Sequence, residues 1–331
     1  MDKAFTSYVI EERSFVSYIK REIHNQVMRG SFSQTQIAEI DIVVSEVTSN
    51  IIKHAGTGEL LFRCLNDIFE IISIDKGPGI ADPTRMMKDG ISTTKTLGQG
   101  LGAIKRLSDA SQLYSLPGWG TILYSSIKKE TENVEKKNSL DVRAVCVNKP
   151  RESVCGDGYW IKHNAADTLV FFGDGLGHGQ YAKEAIDRAG SFFFDSNETD
   201  PVEILRQMHE NIRRTRGLVG TIAVCNKLSG EWRICGVGNI STRLYSGLKY
   251  KNFMPYNGVI GLNIPRSMSP SIFPLEKNQH LIMCSDGIQT RWDLNKYPSI
   301  FKYDNTILAA AIYKDFGRGN DDSSVLIAKV F

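Results

Sequence analysis

Leu169-Val170-Phe171-Phe172-Gly173-Asp174-Gly175-Leu176-Gly177-His178-Gly179 decides how the C-terminal half of the chain reads. A short apolar run bounded by turn residues is the pattern of a buried strand. This one delivers a single carboxylate, Asp174, into a loop made largely of glycine. Hard cations take oxygen ligands, and a loop without bulky side chains lets backbone carbonyls approach one as well. An isolated Asp-Gly is ordinary turn chemistry, but here further acids stand in similar settings. Asp157 lies in Cys155-Gly156-Asp157-Gly158-Tyr159-Trp160, and Asp286 in Ile282-Met283-Cys284-Ser285-Asp286-Gly287 at the end of another apolar run. Asp321 and Asp322 lie in Gly319-Asn320-Asp321-Asp322-Ser323-Ser324-Val325-Leu326-Ile327, before the last strand pattern. Strands laid side by side in a sheet would gather these acids, and such a cluster repels itself unless cations sit within it.

Together with Gly236-Val237-Gly238-Asn239, these segments resemble the metal-dependent (PPM) protein serine/threonine phosphatases, in their compact SpoIIE/RsbX-type bacterial branch. The resemblance covers roughly residues 140–331 and implies a PPM-type α-β-β-α sandwich holding two Mn²⁺ or Mg²⁺ ions. By that resemblance Asp174 bridges both ions, the Gly175 carbonyl completes one shell, and Asp286 and Asp321 bind the second ion. Asp157 is either a ligand or the holder of a water of the metal shell, and Asp321 and Asp322 are open to exchange. Larger members hold the substrate phosphate with an upstream arginine. Arg151, six residues before Asp157, is the candidate counterpart, although compact bacterial members often manage without one. His178 either orients water or phosphate or fixes its loop.

The N-terminal part reads differently. Residues 13–29 carry Phe15, Val16, Ile19, Ile23 and Val27 at helical spacing. Ser31-Phe32-Ser33 then supplies an N-cap for a second helix from about Gln34 to His54, with a buried stripe of Ile37, Ile40, Val44, Val47 and Ile51. Off that stripe, Glu46, Asn50 and either Lys53 or His54 share one face. Alone this is a solvated helix face. It gains meaning from strands at Glu59–Leu65 and Ile68–Ile74, then Asp75-Lys76-Gly77-Pro78-Gly79-Ile80, then Gly98-Gln99-Gly100-Leu101-Gly102 opening a helix. Glycines at a helix N-terminus leave backbone N–H groups available to phosphate oxygens.

This ordered set resembles the GHKL ATPases of the Bergerat fold, most nearly the small RsbW/RsbT-type anti-sigma-factor and stressosome serine kinases, over roughly residues 10–127. The resemblance implies an α/β sandwich with helices on one face of a mixed sheet. Val44-Ser45-Glu46-Val47-Thr48-Ser49-Asn50-Ile51-Ile52-Lys53-His54-Ala55-Gly56 stands where that family has its N-box. Carried over, Asn50 holds Mg²⁺ on ATP and Glu46 is the base toward the substrate hydroxyl. Asp75 accepts from the adenine amino group, with Gly77 and Gly79 allowing the base to approach. Gly98, Gly100 and Gly102 cradle the phosphates, residues 81–97 form the lid, and Thr121 stands beside the adenine. No phosphoacceptor histidine helix precedes this part, which argues against a histidine kinase.

Length and composition allow this division. The chain has 331 residues, enough for two ordinary α/β domains, and 41% hydrophobic with 23% charged residues suits a soluble globular protein. A formal charge of +3 with no basic, aromatic-interleaved patch gives no reason to expect nucleic acid. No signal-peptide pattern or membrane-length apolar run is present, so the expectation is a cytoplasmic protein that does not enter a membrane. Six scattered cysteines read as reduced core thiols. Residues 128–139 are charged and almost free of apolar side chains, a solvated linker or a surface helix. The expected organisation is therefore 1–127, a linker 128–139, and 140–331. The leading expectation is a bifunctional switch that phosphorylates a STAS-domain partner at Ser or Thr and hydrolyses phosphoserine or phosphothreonine. The alternatives are an ATP-gated phosphatase without kinase turnover and a partner-binding N-terminal module. The oligomeric state is left open, a dimer included.

Overall fold

The structure is a computed structural model and describes residues 4–30, 32–65, 67–86, 100–129 and 140–331. The chain divides into two compact units, residues 3–135 with 299–311 and residues 136–298 with 312–331.

In the N-terminal unit, β1 (Thr6–Ile10) precedes α1 (Arg13–Arg29) and α2 (Gln34–Asn50), followed by β2 (Gly58–Cys64) and β3 (Ile68–Asp75). The short α3 (Pro83–Met86), α4 (Gly100–Leu107), β4 (Ala110–Leu116) and β5 (Gly120–Lys128) complete it. The sheet runs β1-β2-β3-β5-β4. Every pairing in it is antiparallel, where a mixed sheet was expected. The physical reason is short connections: β2 turns into β3, and β4 into β5, through tight turns that only antiparallel neighbours allow.

The apolar stripes form the core as their spacing predicts. Ile19, Ile23 and Val27 of α1 and Ile37, Ile40, Val44, Val47 and Ile51 pack with Leu60, Phe62, Phe69 and Ile71 of the sheet. Each such fully buried side chain contributes about 1.5–3 kcal/mol. Phe15 departs from its stripe; it is exposed and stacks on Tyr18 at 5.2 Å. Ser33 is the N-cap of α2, in a capping box with Gln36, whereas Ser31 lies outside the described residues. The second helix does not run regularly to His54. It widens into a π turn over Ile51–Ala55, closed by Gly56 at φ 79° donating to Ile51 O. Such turns often mark functional sites, and this one begins one residue after Asn50.

In the C-terminal unit the strands are β6 (Leu140–Val147), β7 (Asp157–His163), β8 (Asp167–Gly175), β9 (Leu218–Asn226) and β10 (Glu231–Val237). Then come β11 (Ser241–Ser246), β12 (Lys249–Phe253), β13 (Ser271–Pro274), β14 (His280–Cys284) and β15 (Ser323–Val330). Helices α5 (Gln180–Asp195) and α6 (Pro201–Asn211) follow β8; α7 (Asn305–Phe316), whose residues up to Ala311 fall with the N-terminal unit, precedes β15. One sheet runs β13-β10-β9-β8-β7 and the other β12-β11-β14-β15-β6. Ile186, Ala189 and Phe193 of α5 and Leu205 and Met208 of α6 pack on Phe171, Ile222 and Val224 of the first sheet.

Residues 241–253 form a hairpin of two strands turning at Gly247. Residues 287–293 form no helix; they are irregular, with one bridge from Ile288 to Gly317. The buried Arg243 guanidinium takes the carbonyls of Thr290 and Trp292 at 2.7 and 2.8 Å, groups a helix would have used internally.

Candidate functional site

In the N-terminal unit the sequence-predicted residues gather around the end of α2. Gly100, the first residue of α4, lies so close to the N-box that a side-chain carbon there would stand 2.5 Å from Glu46 Oε2 and 3.9 Å from Asn50 Oδ1. Only glycine fits. Asn50 Nδ2 is buried without a hydrogen-bond partner among the described residues. At the other side, Asp75 Oδ1 accepts from Gly77 N at 2.8 Å and Thr121 N at 3.1 Å, so the carboxylate ties its own loop to β5. Thr121 Oγ1 is 2.9 Å from Ser115 Oγ, which also accepts from Ile80 N at 2.8 Å. Sequence reading missed Ser115; its place opposite Thr121 on β4 is a matter of register. Gly79 has φ 75° and packs its Cα against the carbonyl of Leu116, two reasons no other residue suits it. Gly102 is buried on α4. Gly98 and residues 87–97 of the expected lid lie outside the described residues, and residues 81–86 contain the short α3. Lys53 and His54 are both exposed on the π turn.

The acids of the C-terminal unit sit at strand ends of both its sheets. Asp157, first residue of β7, is paired in register with Asp174 near the end of β8. Asp286 follows β14, and Asp321 precedes β15. A link from one sheet to the other is direct: Ser285 Oγ donates to Asp157 Oδ2 at 2.7 Å, while Asp157 Oδ1 is buried with no partner among the described residues. Asp174 is half-buried, and its carboxyl is pushed up to about 10, by desolvation first and then by Asp157, Asp286, Asp321 and Asp322. Asp157 rises to about 7, chiefly through burial, with the Ser285 hydroxyl opposing. The five acids thus feel one another. Among the described residues no three His, Cys, Asp or Glu side chains close on a single point, so the acids face one another across the site without forming a finished shell. Their donor set is nonetheless all oxygen, as Mg²⁺ or Mn²⁺ requires. Gly175 brings its backbone among them, donating to Gly156 O at 3.0 Å, with Ala182 packed where a side chain would go.

The two neighbouring aspartates differ sharply. Asp322 is buried and accepts from Lys149 N at 2.7 Å and from Gly156 N at 2.8 Å. It is a clamp holding the β6–β7 connection in place. Asp321 is less buried and accepts from the Asp322 N–H at 3.0 Å. The geometry favours Asp321 as a cation ligand. Replacing Asp322 with Ala is expected to cost about 2–4 kcal/mol in urea unfolding, because two buried N–H groups lose their acceptor. Asp321→Ala is expected to leave the unfolding midpoint nearly unchanged and to weaken Mn²⁺ binding. The reverse pattern would assign the ligand to Asp322.

Two further residues belong to the picture. Asn239 Nδ2 donates to Asp286 Oδ2 at 3.2 Å, a role its position in the Gly-Val-Gly-Asn segment did not disclose. His178 Nδ1 is 2.6 Å from Glu152 Oε1, which ties the glycine loop to the turn before β7. Arg151 occupies that same turn, exposed, at φ 73°.

A sheet and helices of the kinase-like ATPase kind, followed by a two-sheet unit with an acid cluster, define an ATPase-like domain joined to a unit with the fold of the PPM phosphatases. Residues 16–125 match the family model described as histidine kinase-like ATPase domain. The Bacillus subtilis serine/threonine-protein kinase RsbT is 39% identical over 94 residues, 27% of this chain and 71% of that protein. The chain belongs to this family through its N-terminal part. Phosphoserine phosphatase RsbX of the same organism is 23% identical over 178 residues, 53% of this chain and 89% of that protein. A solved structure from work on the bacterial stressosome aligns at TM-score 0.54 with 26% identity, covering 58% of this chain and 100% of its own. The crystal structure of RsbX in complex with magnesium aligns at 0.52 with 20% identity, covering 60% and 99%, a likeness of fold. No helix among the described residues is long and apolar enough to cross a membrane.

Proposed function

We propose that the chain is a two-headed signalling switch in the cytoplasm, with domains at 1–127 and 140–331 joined by the charged linker. The first binds ATP with Mg²⁺ and phosphorylates Ser or Thr of a STAS-domain partner. The second hydrolyses phosphoserine or phosphothreonine at a site for two Mn²⁺ or Mg²⁺ ions. The observation that carries the reading is the acid cluster: Asp157 and Asp174 paired across two strands, with Asp286 and Asp321 within electrostatic reach. So many carboxylates in one partly buried place are costly to the fold unless cations neutralise them. Divalent ions there would lower the pKa of water and clamp phosphoryl oxygens. Asp174, Asp286, Asp321 and the Gly175 carbonyl would hold them, with Asp157 as ligand or as partner to a water of the shell.

On the kinase side, the pocket residues position rather than react. Phosphoryl transfer needs alignment, charge neutralisation and one group to orient the nucleophile. Asn50 would serve the Mg²⁺, Gly77, Gly79, Gly98, Gly100 and Gly102 the nucleotide, Asp75 and Thr121 the adenine, and Glu46 the acceptor hydroxyl. RsbT and RsbX carry the names of a kinase and a phosphoserine phosphatase, and their two kinds of domain are here on one chain. Opposed activities in one molecule would consume ATP to no effect, so nucleotide or partner binding is expected to bias them. The test incubates the purified chain with STAS-domain proteins and follows intact mass. Mg-ATP should add one phosphate, and Mn²⁺ without ATP should then remove it. A partner whose mass never changes with either addition contradicts the reading.

A further inference from the structure

We propose that Arg216 is the side chain that grips the substrate's phosphate at the C-terminal site. This rests on the phosphatase reading of that site and goes beyond it. Its position follows from strand register. Asp174 pairs with Val219 and Gly175 with Leu218, and the ladder continues as Leu176 N donates to Gly217 O at 3.0 Å. Beyond it both strands end, at Gly177 (φ 85°) and Gly217 (φ 81°), and Arg216 comes beside Gly177. A side-chain carbon on Gly177 would stand 3.0 Å from Arg216 Nη1, so the guanidinium lies directly against the loop that follows Asp174. Its flat face rests on Tyr181, in the first turn of α5, at 4.7 Å from the ring centroid. Stacking of this kind holds a guanidinium in place while its N–H edges stay available.

The remaining feature is what Arg216 lacks. It is exposed, and among the described residues it makes no ion pair or hydrogen bond, although five aspartates interact at the neighbouring site. A cation intended only to neutralise those acids would be paired with one. An unpaired, pre-positioned guanidinium at the rim suits an arriving anion instead. A phosphomonoester offers two or three terminal oxygens in the planar spacing that arginine matches with two parallel hydrogen bonds. The carboxylates of the site repel an arriving phosphate, and Arg216 offsets that repulsion where the phosphate enters. Arg151, on the far side of the His178–Glu152 contact, shows no comparable support.

The test uses the full chain loaded with Mn²⁺, a phosphoserine peptide for kinetics, and inorganic phosphate for calorimetric titration. Arg216→Ala is expected to raise KM and the phosphate Kd about tenfold each, with kcat changed less than threefold. Arg216→Lys should recover part of both, since it keeps the charge and loses the fork. Arg214→Ala, an exposed arginine two residues away, should match wild type. Unchanged KM and phosphate Kd in Arg216→Ala overturn the inference while leaving the phosphatase reading intact. Arg216-dependent phosphate binding by a wild-type chain that turns over no phosphopeptide overturns the phosphatase reading, and with it the substrate role, leaving Arg216 an anion-binding side chain only. Absence of both phosphate binding and turnover in wild type overturns both.

Discussion

Asp174→Asn is expected to lower phosphatase activity at least a thousandfold and, in the metal-free protein at pH 8, to raise the melting temperature by roughly 5 °C. The two effects have one cause. Asp174 is half-buried among Asp157, Asp286, Asp321 and Asp322, and its carboxyl is pushed from 3.8 up to about 10 by desolvation and then by those neighbours. A folded-state pKa above the unfolded value means that the group's contribution is fully favourable below pH about 4 and is lost as pH rises toward 10. At pH 8 the unfolded chain ionises Asp174 readily and the metal-free fold resists it. Asparagine removes that difference while keeping the shape. The stabilisation should therefore shrink as pH falls toward 5, and adding Mn²⁺ should stabilise wild type more than the variant. Thermal melts at several pH values, with and without Mn²⁺, measure all of this beside the phosphatase assay. Full activity in Asp174→Asn, or a lower melting temperature in the metal-free state at pH 8, would contradict the assignment.

The sequence discloses this site because its parts are local: each acid stands at the end of its own apolar run, and strand ends are where a sheet places its side chains for chemistry. What it does not disclose depends on partners far away in the chain. Asp321 and Asp322 are indistinguishable until Lys149 N and Gly156 N are seen to occupy Asp322. Arg216 is one arginine in the run Arg213-Arg214-Thr215-Arg216 until the fold brings it beside Gly177 and Tyr181. The non-helical course of residues 287–293 goes with Arg243 on another strand, which takes two of their carbonyls and which no periodicity within that stretch encodes. In the N-terminal unit the stripes of α1 and α2 are legible because burial follows helical period. The π turn after Asn50 is not, because the same residues satisfy either winding until the tertiary fold decides.

Glu46→Gln is expected to lower phosphate transfer to a STAS-domain partner by about 10²–10⁴-fold while changing ATP affinity less than threefold and phosphatase activity not at all. The separation follows from where Glu46 sits. Its carboxylate lies beside Gly100, the first residue of α4, one helical turn before Asn50, whereas the Asp75 carboxylate is bonded to Gly77 N and Thr121 N. A carboxylate there can accept a proton from a hydroxyl arriving beside the phosphates, and the amide cannot. On the proposed reading nucleotide affinity would rest instead on Asp75, the glycines and Asn50, whose buried Nδ2 lacks a partner among the described residues. Asn50→Ala should accordingly lose Mg-ATP binding and transfer together. Transfer measured by intact mass and ATP binding measured by titration distinguish the two variants. If Glu46→Gln transfers phosphate at the wild-type rate, the base assignment is wrong. If wild type transfers none while ATP alters its rate of dephosphorylation, the N-terminal domain acts as a gate. In that case Asn50→Ala and Asp75→Asn would still abolish the ATP effect, because a gate needs the nucleotide bound and a kinase needs it bound and aligned.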